Sequence, residues 1–370
     1  MPWLMHFSDG SCLHLGYLGR KMSRLILIYN PNSSNYRRVK KDVLDKKAEI
    51  FADYELAEYT IKKIGFKNNV KNLKQEIKDG DLCFALGGDA TAAITANAIL
   101  ESDKDATLAV LPYGNFNDLA RTLGTMRLED TGLGAARCFE ESVGGYARPL
   151  GRELPKANRD RRNAPPITMG RRDSMSEKHL AAPTCLYPLE IYVDGKFWRY
   201  ATCYVTIGMT AEAVELFDEP KFRKYMKKGH KSSWRSYVAL AKWYFKNRHK
   251  KVFLPEFTIN GKKTVKKASD YAALSGKSMC RVMKGGEDYK KPEIFRSKAL
   301  KTVSFPRLFI LMARSILFRT PGNDTKGDIL EFKNPATVEL QAEGEYQIFK
   351  NIKTIEVKKG EKCLKVITKS

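Results

Sequence analysis

The sequence predicts an α/β plus β chain: an N-terminal three-layer, Rossmann-like domain followed by a mainly antiparallel β-sandwich. Three observations carry this. From Arg24 onward, short apolar runs alternate with amphipathic stretches, the order of a parallel sheet with helices on its faces. Several of those runs end in polar or glycine-rich turns, at what would be the carboxyl ends of parallel strands. From Thr184 onward, alternating apolar residues flank Asp-Gly and Asn-Gly pairs, the signature of hairpins.

Taken in order, RLILIYN from Arg24 reads as the first strand, closed by an Asn-Pro turn. Residues 36–50 are charged and helical in character, AEYTIKKIG from Ala57 is a strand candidate, and residues 68–79 form a helix with Val70, Leu73 and Ile77 on one face. DLCFALGG from Asp81 is a buried strand, TAAITANAILES a helix, ATLAVLP from Ala106 the next strand, and NDLARTLG from Asn117 opens another helix. Residues 151–182 are rich in Arg, Pro and Asn and read as a flexible insertion. Beyond it, hairpin turns are expected at Asp194–Gly195 and Asn260–Gly261.

Residues 232–250 carry a helical stripe of Trp234, Tyr237, Val238, Ala241, Tyr244 and Phe245 with a basic end. This helix, and the apolar stretch from Phe305, pack on the sandwich or lie on a membrane surface. The domain organisation expected is therefore 1–21 as an extension or mis-called start, 22–150, an insertion at 151–182, and 183–370, whose last segment packs back on the first domain.

The chain has 370 residues, with 66 Lys and Arg against 42 Asp and Glu, a net charge of +24. Such a surface attracts polyanions, from lipid headgroups to nucleotides. No nucleic-acid motif or aromatic-basic platform accompanies it, so no nucleic-acid partner is expected. Seven scattered Cys residues without a CxxC pair argue against a disulfide framework or zinc site, and for a reducing cytoplasm. No apolar run reaches the roughly 18 residues of a membrane span.

The chemistry is concentrated in Leu86-Gly87-Gly88-Asp89-Ala90-Thr91. Two glycines let backbone turn sharply and approach a ligand. The following helix aims its free N–H groups at the loop, and Thr91 adds a hydroxyl. Asp89 repels phosphate, so its task is to hold Mg²⁺ or to accept a proton from a hydroxyl nucleophile, both part of phosphoryl transfer. A second loop, Pro112 to Asp118, repeats the device with Gly114, and either Asn117 or Asp118 is expected to cap the helix that follows. Asn30 to Ser34 supplies a third polar turn at the same sheet edge.

In this order, NPxS, GGDxT and PxGxxNDLAR resemble the diacylglycerol kinase catalytic-domain family, which includes sphingosine kinases and bacterial lipid kinases. VTIGMTAEAV and QAEGEYQ extend the likeness through residues 22–368, apart from 151–182. The resemblance implies a two-domain, ATP-dependent lipid kinase of lipid and phospholipid metabolism, with ATP and Mg²⁺ in the cleft and a lipid substrate. It implies Asn30, Ser33, Gly87, Gly88, Thr91, Gly114, Asn117, Asp118 and Glu345 around the nucleotide. Asp89 and Glu343 become the candidate catalytic acids, with Asp89 also the candidate metal ligand.

A basic enzyme of this kind would sit in the cytoplasm, held peripherally on anionic membrane, and a homodimer is open to it. Four departures stand out. Ala90 replaces the Gly of GGDGT and would strain the loop if that position needs a positive φ. Asn115 replaces a Thr, and Glu343 an Asp. The stretch from Arg296 lacks the Asp-Gly pair linked in the family to a structural Mg²⁺. They leave two alternatives beside the lipid kinase: a soluble acceptor, as for NAD kinases, or a non-catalytic homologue that senses nucleotide or lipid.

Overall fold

The computed structural model describes residues 24–52, 54–114, 116–124, 183–218, 254–279, 283–301, 318–320 and 322–368, together with Lys242, Phe245 and Arg314. The expectations for residues 1–21 and 151–182, for Asn115, and for most of the helix at 232–250 and of the stretch from Phe305 lie outside them.

The first half builds as its periodicity dictates. The strands β1 (Arg24–Tyr29), β2 (Glu55–Thr60), β3 (Leu82–Gly87) and β4 (Thr107–Pro112) are parallel neighbours in the order β2-β1-β3-β4. Every residue of β3 is buried, as a central strand covered on both faces requires. One face carries α1 (Tyr36–Asp42) and α2 (Lys47–Ile50), where Val39, Val43 and Phe51 meet Leu25, Leu27 and Phe84. The other face carries α3 (Phe66–Glu76) and α4 (Asp89–Ser102). α3 is amphipathic, burying Val70 and Leu73. α4 is buried nearly throughout, with Ala92, Ala96 and Ala98 in the apolar cluster of that face, and ends at Asp103 in the left-handed region. A short α5 (Asp118–Thr122) follows β4.

The second half forms a ten-stranded, mainly antiparallel sheet. It contains β6 (Leu189–Val193), β7 (Lys196–Ala201), β8 (Tyr204–Gly208), β9 (Phe257–Ile259), β10 (Lys263–Val265), β11 (Ala268–Leu274), β14 (Phe295–Lys301), β15 (Asn323–Thr325), β16 (Gly327–Ala342) and β17 (Glu345–Lys359). Both expected hairpins form: Asp194–Gly195 joins β6 to β7 and Asn260–Gly261 joins β9 to β10, all four residues at positive φ. The helix α6 (Met209–Asp218) follows β8 and packs on β16 and β17. A two-stranded ribbon, β12 (Ser278–Met279) with β13 (Met283–Lys284), stands apart.

Two short strands return to the first sheet. β18 (Leu364–Val366) pairs parallel with β4, and β5 (Thr184–Leu186) pairs antiparallel with β18. The apolar cluster on the α3/α4 side therefore includes Tyr200, Tyr204, Leu274, Tyr289, Leu364 and Val366 from the second half. Asn97, fully buried in α4, fastens the two halves: its Oδ1 accepts from the backbone N–H of Tyr200 at 2.9 Å and its Nδ2 donates to the carbonyl of Tyr200 at 3.1 Å.

One sequence expectation is overturned. Cys185 in β5 and Cys363, just before β18, form a disulfide across 178 residues of sequence. The scattered spacing concealed it, because only the return of β18 to the first sheet brings the two together. Closing so long a loop is expected to contribute about 2–4 kcal/mol. Reduction should therefore lower the melting temperature by several degrees, measured in parallel with and without a thiol; an unchanged value would contradict this. Among the described residues no helix is long and apolar enough to cross a membrane.

Candidate active site

The two glycine loops meet at the carboxyl ends of β3 and β4. Gly88 is the extended residue before α4, and Gly114 lies directly on it: a Cβ added at Gly114 would stand 2.3 Å from the Cα of Gly88. Gly87 is close-packed too, beneath the side chain of Thr91, which is buried. The third turn joins them. The amide N–H of Asn32 donates to Oδ1 of Asn30 at 2.9 Å, Ser33 closes the turn onto the Asn30 carbonyl at 3.0 Å, and Asn35 donates to the carbonyl of Tyr113 at 2.7 Å. Tyr113 in turn donates its N–H to Gly87. Asn30, Ser33, Gly87, Gly88, Thr91, Gly114, Asn117 and Asp118 thus gather at one sheet edge.

The capping expectation needs correction. Neither Asn117 nor Asp118 caps α5 with its side chain. Asn117 adopts the left-handed region, φ 54°, and spends its amide on Gly114, accepting from the N–H and donating to the carbonyl at 2.8 Å each. Asp89 supplies the cap instead, from a different loop. Its Oδ2 accepts from the N–H of Asn117 at 3.0 Å and its Oδ1 from the N–H of Asp118 at 2.6 Å. Ala90 needs no positive φ: it lies exposed within the first turn of α4, so the departure from GGDGT brings no strain.

The second half closes the site from the other side. Glu343 and Gly344 form the turn between β16 and β17, both at positive φ. Glutamate is an uncommon residue for that conformation. Its carboxylate is buried, 4% exposed, and Oε1 accepts from the hydroxyl of Thr202 and, at 2.5 Å, from the N–H of Cys203. These bonds hold the turn inward. Asp118, 1% exposed, accepts from the hydroxyl of Ser278 at 3.0 Å. Glu345 opens β17 beside the turn, and its charge reaches Arg199 in β7.

Asp89, Asp118 and Glu343 are thereby crowded into one poorly solvated place. Burial, then the charges of Asp118 and Glu343, push the Asp89 carboxyl up to about 7 against the pull of its two backbone donors. Burial also raises Glu343, opposed by the Thr202 hydroxyl, Arg199 and the Cys203 N–H. Burial lowers Arg199 to about 10. Among the described residues no three Asp, Glu, His or Cys side chains are placed to ligate a metal together. The stretch from Arg296, where the sequence lacks an acid, instead has that arginine paired with Asp324 at 2.8 Å and donating to the Thr320 carbonyl.

Sequence reasoning missed Asn97, Arg199, Thr202, Cys203 and Ser278. None belongs to a motif: Asn97 sits on α4, Ser278 in the β12–β13 ribbon, and Arg199, Thr202 and Cys203 along β7 and the turn into β8.

Residues 24–142 match the family profile described as "Diacylglycerol kinase catalytic domain". The diacylglycerol kinase of Bacillus subtilis (strain 168) is 34% identical over 131 residues, 35% of this chain and 41% of that protein. A diacylglycerol kinase of Staphylococcus epidermidis is 37% identical over 106 residues, 28% of this chain and 32% of that protein. The chain thus spans less than half the length of the curated relatives it matches. A crystal structure of a diacylglycerol kinase from Bacillus anthracis str. Sterne superposes with a TM-score of 0.54 at 15% identity, covering 95% of this chain and 98% of that one, a likeness of fold. On its motifs and its profile match over residues 24–142, the first half of the chain is similar to the diacylglycerol kinase catalytic domain.

Proposed function

We propose that this protein is an ATP-dependent lipid kinase that transfers a γ-phosphoryl group to the hydroxyl of a diacylglycerol-like or sphingoid lipid. The observation that carries this is the Asp89 carboxylate, fixed by the N–H groups of Asn117 and Asp118 and crowded by Asp118 and Glu343. A carboxylate so placed is a general base near neutral pH. Asp89 takes the proton of the acceptor hydroxyl. The freed oxygen attacks the γ-phosphorus, and ADP leaves. Burial and the charge of Asp118 keep Asp89 basic, and Glu343 adds its charge to theirs. The glycine loops let backbone approach the phosphates, with Asn30, Ser33, Thr91 and Glu345 around the nucleotide.

The acidic cluster suits a cation, but it offers no protein cage. A Mg²⁺ here would have Asp89 as its protein contact and take its other ligands from phosphate oxygens and water. When bound, the ion neutralises charge on the phosphates. The net charge of +24 supports peripheral attachment to anionic membrane, at roughly 1 kcal/mol per well-placed Lys or Arg.

The test is labelled-phosphate transfer from ATP to vesicle lipid, beside a panel of soluble acceptors, followed with pH. The ionised carboxylate is the active form, so the rate should rise with pH and level off above about 7. Asp118→Asn should move that limb to lower pH. A limb in the ordinary carboxylate range would instead assign Asp89 to the metal. Label in a soluble acceptor alone would overturn the lipid reading.

A further inference from the structure

Arg199 is an unusual residue for its place. It lies in β7, is 3% exposed, and stacks its guanidinium 3.6 Å from the centre of the Phe66 ring and 5.2 Å from that of Trp198. Stacking occupies the face of the group and leaves its edges. Two edge donors, Nε and Nη2, are buried without a hydrogen-bond partner. Together they form the side-on fork of an arginine, the pair that matches two oxygens of a carboxylate or phosphate. Glu343 and Glu345 act on its charge, yet neither fills the fork. Oε1 of Glu343 is given to Thr202 and Cys203.

An empty buried fork is costly, because its N–H groups have lost water and gained nothing. An apolar side chain of similar volume would pack there at lower cost. Position supplies the reason for a cation. The next residue, Tyr200, is fastened by Asn97 to α4, the helix that begins at Asp89. Thr202 and Cys203, which hold Glu343, follow directly. Among the described residues the charged side chains that act on Asp89 are the acids Asp118 and Glu343, and a phosphate brought among them needs a positive group.

We propose that Arg199 is a phosphate-binding residue of the cleft, its Nε–Nη2 fork taking two oxygens of a phosphoryl group while Phe66 serves as the platform for the guanidinium. The proposal rests on the lipid kinase reading. The fork is covered in this structure. Phe66 belongs to the first half of the chain and Arg199 to the second, so a phosphate enters where the two halves part.

The test is calorimetric titration of the purified protein with inorganic phosphate at constant ionic strength, against chloride. Parent protein should bind phosphate saturably. Arg199→Met should bind at least tenfold more weakly, and Arg199→Lys in between. Because Arg199→Met removes two buried N–H donors that have no partner, its melting temperature should equal or exceed the parent value. Competition by ATP or by glycerol 3-phosphate supports the site and names the source of the phosphate, nucleotide or lipid headgroup; displacement by neither overturns it. So does undiminished binding by Arg199→Met, a parent that does not distinguish phosphate from chloride, or a lowered melting temperature with unchanged affinity. Binding needs no turnover. A protein that holds phosphate through Arg199 but phosphorylates no lipid contradicts the kinase reading alone. A lipid kinase whose Arg199→Met variant binds phosphate normally contradicts this proposal alone.

Discussion

Gly114→Ala should remove most of the activity and part of the stability. The new Cβ would stand 2.3 Å from the Cα of Gly88, 2.7 Å from Oδ1 of Asn117 and 3.2 Å from the N of Gly88. Carbon atoms in contact settle near ~3.5–4.0 Å. The obstacle is backbone, which no rotamer change relieves, so the two loops must part by about 1 Å or more. The N–H groups of Asn117 and Asp118 then withdraw from Asp89, and the carboxylate loses its fixed direction. Overpacking of this kind costs about 1–3 kcal/mol, and a misplacement near 1 Å costs roughly 10²-fold in rate. Thermal denaturation and phosphate transfer read the two effects separately. Ala90→Gly is the contrast: exposed in the first turn of α4, it should cost about 1 kcal/mol and leave turnover intact. Parental turnover by Gly114→Ala would show that the loops need not touch.

Glu343→Gln should separate charge from shape. Glutamine keeps an oxygen that can accept from both the Thr202 hydroxyl and the Cys203 N–H, so the turn stays inward. What disappears is a negative charge that helps to hold the Asp89 carboxyl up near 7. The expected result is a folded protein with its melting temperature within a few degrees of the parent, a plateau rate lower by roughly several-fold because the base is weaker, and an acid limb moved to lower pH. Glu343→Ala should be worse in a different way. It leaves the Thr202 hydroxyl and the Cys203 N–H without their carboxylate partner, at about 1–3 kcal/mol for each group left unsatisfied. If Glu343→Gln turned over normally while Glu343→Ala unfolded, the carboxylate would be a structural prop only.

What was legible in the sequence was local. Strand after strand of the parallel sheet, the glycine loops at their ends and both tight hairpins follow from residue type and short-range period, and all are present. The same local logic failed where a partner comes from afar. Asn117 and Asp118 look like caps, yet Asp89 caps α5 from 28 residues away. Glu343 finds Thr202 at a separation of 141 residues, Asn97 finds Tyr200 at 103, and Cys185 finds Cys363 at 178. Each pairing depends on strand register or on the return of β18, which no window of sequence contains. Ala90 misled for the opposite reason: a position that looked like a strained loop is already helix.

The most direct measurement is recovery of label from γ-labelled ATP in the lipid fraction of anionic vesicles, comparing the parent with Asp89→Asn. An amide cannot accept both backbone N–H bonds through oxygen, and it is no base near neutral pH. The predicted result is labelled lipid from the parent and a loss of about 10²-fold or more in Asp89→Asn, with the variant still folded. Equal transfer by the two proteins would contradict the assignment of Asp89, and no labelled lipid from the parent would contradict the lipid kinase itself.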